Sequence, residues 1–294
     1  MPAKTVALSV NCRAICRLCI LGVIMGEKWA HAPVFCALAQ VRHNPVWQIG
    51  EYRSKIQEAL RQTGCPDARM ESLALVRLPA PAKEPGAPPM APRFEQVPRI
   101  VCADRDGIRA WIVDPDKLTY CTSEYETFER FRDQFLEALA PVQAILKLEY
   151  VDQVSARYLD AVVPPDGELG LSNYLVPEVL GLTPHISHRV TIRHAECLVQ
   201  FQTEEHIEVN ARTRIQSGRI ALPPDLQPLA VRIAERFTAI EGVHAILDTD
   251  ALYRERQAFE IKALGPLMTK LREAIGIAFN ATVTPHARAA WQKR

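Results

Sequence analysis

The sequence predicts an α+β protein: an antiparallel or mixed sheet, helices packed mainly on one face, and a long C-terminal helix. Three observations carry this. Between Arg99 and Cys121, short apolar pieces are broken by turn chemistry at Arg105-Asp106-Gly107 and Pro115-Asp116, the pattern of an antiparallel meander. Helical patterns come singly and not as repeated βα units. From Phe259 to Phe279, Leu264, Leu267, Met268, Leu271, Ile275, Ala278 and Phe279 fall on one helical stripe long enough to cover a sheet.

The other elements follow in order. VFCALAQVR (Val34 to Arg42) is almost continuously apolar and suits a strand covered on both faces. Tyr52, Ile56, Ala59 and Leu60 share a helical face that stops at Gly64 and Pro66. A strand is expected from about Glu71 to Leu78. Seven prolines between Pro79 and Pro98 mark a surface loop. Ser123 and Glu126 form a capping-box signature, and Tyr125, Phe128, Phe131, Phe135 and Leu139 give the helix after it an apolar face.

Ala144 to Val163 reads as one long strand with a bend near Asp152. LSNYLVPEVLG (Leu171 to Gly181) reads as a short helix or irregular cover piece. Val190–Gln202 and Ile207–Ile215 form a hairpin across Thr203-Glu204-Glu205, and Leu229–Phe237 leans to strand. Gly265-Pro266 mark a kink or a true start of the long helix. Thr284-Pro285 starts a short final helix that ends at Trp291.

At 294 residues with 48% hydrophobic and 23% charged residues, the chain suits an ordinary globular core. Thirty-five Lys and Arg against 34 Asp and Glu leave a net charge of +1 and no basic run, which argues against nucleic acid and a membrane surface as partners. Cys36, Cys65, Cys102, Cys121 and Cys197 stand singly among apolar neighbours, the pattern of reduced cytoplasmic thiols. Cys12, Cys16 and Cys19 cluster in a short basic apolar stretch. Their spacing matches a three-thiolate iron–sulfur motif, but no strand precedes it and no βα series follows. Residues 1–24 are therefore expected to be an extension preceding a start at Met25. Residues 25–294 form a single domain with sub-halves of about 29–165 and 166–294.

Several stretches together resemble a sporadically distributed bacterial family of conserved proteins, known by number and without an assigned activity. They are APVFCALAQVRHNPV, YRSKIQEALRQTGCPD, SEYETFERFRDQFLEAL, SARYLDAV, LSNYLVPEVLG, PPDLQPL, HAILDTD and AFNATVTPHARAAW. The resemblance spans Trp29 to Trp291 and supports Met25 as the start. His43 departs from it, since similar proteins more often carry an aromatic residue there. It implies kinship and no reaction.

The candidate site residues are Arg42, Arg157, Asp160, Asp248 and Asp250. An apolar strand ending in Asp248-x-Asp250 is one way to present paired carboxylates to a metal or polar ligand. Arg157 and Asp160 in SARYLDAV form a charged pair on a well-patterned strand, suited to lining a cleft or to a surface ion pair. Arg42 closes the first strand. His185, His188 and His194 are spaced as no ligand pair on one strand or helix. No phosphate loop and no HExxH occur.

The expectation is a cytoplasmic binding module with no cofactor, taking a protein partner or small ligand, with homo-oligomers allowed. The alternative is a metal-dependent hydrolase or nuclease centred on Asp248 and Asp250, with Arg157 as electrostatic helper.

Overall fold

In a computed structural model, the described residues are 29–77, 93–164, 170–186, 190, 192–220, 222–227 and 230–292. The proposed extension 1–24, most of the Pro-rich segment, His188 and the first three clustered cysteines lie outside them. β1 (Val34–His43) is buried on both faces along most of its length, as its apolar run requires. After it come α1 (Arg53–Gln62), β2 (Asp67–Arg77), β3 (Arg93–Ala103), β4 (Arg109–Asp114), β5 (Lys117–Thr122), α2 (Phe128–Leu146) and β6 (Tyr150–Val162). The second part contains α3 (Pro177–Leu180), α4 (Thr183–Ile186), β7 (His194–Gln202), β8 (Ile207–Ser217), α5 (Glu235–Thr238), β9 (Val243–Tyr253), β10 (Gln257–Ala258), α6 (Ile261–Thr282) and α7 (Pro285–Gln292).

One sheet runs through both parts in the order β2-β3-β4-β5-β1-β6-β9-β8-β7, with the short β10 also on β6. Every pairing is antiparallel. The α+β class is therefore as expected, and its meander and hairpin lie where the turn residues put them.

Alternation of side chains divides the core by sheet face. On one face Ala37, Ala39 and Val41 of β1 and Val154, Ala156 and Tyr158 of β6 pack against Leu60 of α1, Phe135 of α2 and Met268 of α6. Trp111 stacks on Phe135 at 5.6 Å, fixing α2 over β4. Further along, Val162 and Leu247 meet Leu180 of α3 and Trp291 of α7. On the opposite face Cys36, Leu38, Leu159 and Ile246 lie under Val231 and Phe237, so α5 and the segment around it cover the side away from the long helices. Helices are thus not confined to one face.

Four expectations shift. The long strand expected from Ala144 begins only at Tyr150, because α2 continues through Pro141 to Leu146. Val142 and Leu146 are buried, and their packing keeps the last turns helical despite the proline. Lys147 then ends the helix in the left-handed conformation (φ 51°). The bend near Asp152 is present: Arg42 pairs with Gln153 but His43 with Val151, leaving Asp152 as the extra residue.

The helix cap is Thr127, whose hydroxyl accepts from the Arg130 backbone N–H at 3.3 Å, in place of Ser123. Leu229–Phe237 is not a strand where described: residues 230–234 are irregular and α5 begins at Glu235. Finally, β3 takes in Pro98 from the expected loop. β4 joins β3 only from Ile100, so the missing N–H of Pro98 breaks no ladder with β4.

Pro266 sits inside α6, which starts at Ile261, and Thr284 caps α7 through the Ala287 N–H at 3.2 Å. Among the described residues no helix is long and apolar enough to cross a membrane. Cys36, Cys65, Cys102 and Cys121 are buried free thiols, and Cys197 is a partly buried one.

Candidate functional site

Two polar assemblies lie on opposite faces of the central strands. β9 points Asp248 and Asp250 to the face away from the long helices. The register places Leu159 opposite Asp248 and Arg157 opposite Asp250. Arg157 then grips Asp248 with two parallel bonds, Nε to Oδ1 at 2.7 Å and Nη2 to Oδ2 at 2.8 Å. It also donates to Asp225 in the segment that crosses this face.

Arg212 approaches Asp248 at 3.6 Å and Glu196 at 3.1 Å, and Arg214 meets Glu196 at 3.1 Å. Burial works against the Arg157 charge, but the bonds to Asp248 and Asp225 more than offset it and hold its pKa above the ordinary value. Burial also pushes the Asp250 carboxyl up to about 6, with Arg157 restoring only part of the loss. This is an ion-pair anchor. A metal taking Asp248 would have to displace Arg157 from both carboxylate oxygens. Among the described residues no group of three His, Cys, Asp or Glu is placed to hold a metal ion.

Asp160 is not part of that anchor. It stands three positions after Arg157, and with a period of two an odd separation reverses the face. Arg157 and Asp160 therefore line no common cleft. Asp160 points with Tyr158 toward α6, into a cavity of about 140 Å³ walled by Val34, Phe128, Ile275 and Phe279. Trp29 and Tyr125 also line it, and Tyr125 meets Tyr158 edge-on at 5.1 Å.

Arg272 enters the cavity from α6, its guanidinium 5.7 Å from the Tyr158 ring centre. A side chain at Gly276, one turn on, would have its first carbon 3.4 Å from Arg272 Nη1. Among the described residues Arg272 has no carboxylate within ion-pair distance, although it and Asp160 line the same space and act on each other through it. The Tyr125 hydroxyl interacts with both Tyr158 and Arg272. The buried Tyr158 hydroxyl nevertheless has no hydrogen-bond partner of normal geometry. Burial pushes the Asp160 carboxyl up to about 7, opposed only in part by Arg272.

The remaining candidates serve local structure. Arg42 pairs with Asp116 at 3.0 Å on an exposed edge, clear of both assemblies. His194 comes within 3.7 Å of Glu196. Tyr125, Tyr158 and Arg272 were not flagged by sequence patterns. Tyr125 and Tyr158 read as core aromatics, and Arg272 lies beside the apolar stripe of its helix. Its offset of minus four from Gly276 was the available signal, since a glycine inside a helix leaves room over the preceding turn.

No protein-family model matches this chain, and no curated protein does.

Two outcomes check these assignments. Arg157→Met strands a buried carboxylate and is expected to lower stability by about 3–5 kcal/mol, whereas Asp225→Asn, at the exposed end of the same pair, costs about 1 kcal/mol or less. Urea denaturation of the two variants measures the contrast, and equal losses would refute the anchor. Asp160 faces Arg272 from α6, Tyr158 on its own strand and Tyr125 before α2. Its carboxyl titrates at about 7 in the fold against 3.8 as the ordinary value. The neutral form is thus favoured on folding: its stabilisation is complete below about pH 4 and is lost as pH rises toward 7. Asp160→Asn should therefore raise Tm at about pH 8 by several degrees, with the gain vanishing near pH 4. A loss of Tm at the higher pH would mean that Asp160 is ionised and paired.

Proposed function

We propose that this protein is a non-catalytic binding module whose site for a small ligand is the cavity beside Asp160. The observation that carries the reading is the Tyr158 hydroxyl, buried without a hydrogen-bond partner in a cavity that also holds Asp160 and Arg272. A buried polar group left unmade costs about 1–3 kcal/mol, and a bound ligand can recover it. Apolar walls with a few convergent polar groups and a perturbed carboxyl are the usual make-up of a small-molecule site.

Asp248, by contrast, already has both oxygens engaged by Arg157. The reading places the protein in the cytoplasm, in keeping with its buried free thiols, and as a member of the bacterial family that its motifs resemble. No resident cofactor is required by it.

The test is a thermal-shift screen of chemically diverse small molecules against the full chain and against Gly276→Leu, whose side chain presses Arg272 into the cavity. A compound at 100 times its Kd should raise the parent Tm by about 5 °C and leave the variant unmoved. A library that shifts neither, or shifts both equally, would refute the site.

A further inference from the structure

The cavity brings together an acid and a guanidinium that form no ion pair with each other. Asp160 on β6 and Arg272 on α6 both line it, without an ion pair between them. The Tyr158 hydroxyl adds a third polar group, a donor or acceptor with no assigned role. A buried guanidinium without an ion-pair partner favours an anion, and a buried carboxyl without one favours a cation.

Ligands with one charge answer half of this. A simple carboxylate would suit Arg272 but would face Asp160, Glu126, Glu129 and Glu273, which also line the cavity. A simple amine would suit those acids but would face Arg272. Like-charge contacts of this kind discriminate against the wrong ligand as effectively as good contacts select the right one. Size narrows the class further. About 140 Å³ is close to the roughly 150 Å³ that holds benzene in an engineered protein cavity. Val34, Phe128, Ile275 and Phe279 provide an apolar wall for a short hydrocarbon side chain.

We infer that the cavity takes a small zwitterion, an apolar α-amino acid or close analogue, with its carboxylate on Arg272 and the Tyr158 hydroxyl and its ammonium on Asp160. The inference rests on the small-ligand reading and adds the chemistry of the ligand. Tyr158 donates its proton to the ligand carboxylate and so gains the hydrogen bond it lacks. The aromatic rings of Tyr125 and Tyr158 flank the ammonium, an environment that favours an organic cation. A small side chain at position 276 is part of the design, because the Arg272 guanidinium occupies the space over it.

Isothermal titration calorimetry of the full chain tests this with L-valine, L-leucine, L-isoleucine, L-methionine and L-phenylalanine. Beside them run 4-methylpentanoate, which is leucine without the ammonium, and 3-methylbutylamine, which is leucine without the carboxylate. At least one amino acid should bind, and each single-charge analogue of leucine should bind at least tenfold more weakly than leucine itself. Arg272→Gln and Asp160→Asn should each weaken the bound amino acid by tenfold or more. Arg272→Lys, which keeps the charge and serves if Arg272→Gln fails to fold, should lose less.

Analogues that bind as well as leucine, or amino-acid binding unchanged in both variants, would overturn the inference. Silence from all five amino acids would overturn it too. In that case a compound that shifts the parent but not Gly276→Leu leaves the cavity reading standing, whereas a silent library removes both.

Discussion

The arrangement of buried charge in this molecule depends on the two-residue period of β6 at the centre of the sheet. Odd-numbered positions such as Arg157 and Leu159 face the covering segment, and even-numbered positions such as Tyr158 and Asp160 face the long helices. A strand buried on both faces has little tolerance for charge, yet β6 carries one on each side. On one side the charge is neutralised within the protein: Arg157 clasps Asp248 and reaches Asp225. On the other it is not, and Asp160, Tyr158 and Arg272 share a cavity with their polar groups incompletely satisfied.

That contrast separates polar groups satisfied within the protein from those of the proposed site. A bidentate pair with one partner 2% exposed is satisfied within the protein, so Arg157 and Asp248 belong with the forces that hold the covering segment on the sheet. The Asp160 cavity stores the opposite condition. Its carboxyl is pushed up to about 7 by burial, its Tyr158 phenol lacks a hydrogen bond of normal geometry, and its arginine lies near a ring without an ion pair to an acid. Proteins retain such arrangements where something else completes them.

Local chemistry made much of the fold legible. The apolar run of β1, the turns between β3, β4 and β5, the hairpin of β7 and β8, and the stripe of α6 are each set by residues close in sequence. What escaped was decided by tertiary packing. Pro141 argues for a helix end, but burial of Val142 and Leu146 carries α2 past it. Val231 and Phe237 mimic a strand because both pack on the sheet, although the backbone is irregular over residues 230–234 and helical from Glu235.

The sites were legible to a different degree. Asp248, Asp250, Arg157 and Asp160 stood out as charges on apolar strands, but parity, and not proximity in sequence, decides which of them meet. Arg272 could be joined to Asp160 only by the docking of α6 on β6, which no local pattern encodes. The most direct measurement is native mass spectrometry of the gently purified full chain beside Gly276→Leu. The cavity predicts that the parent carries one small bound molecule, released on unfolding and missing from the folded variant. The same adduct on both proteins would contradict it.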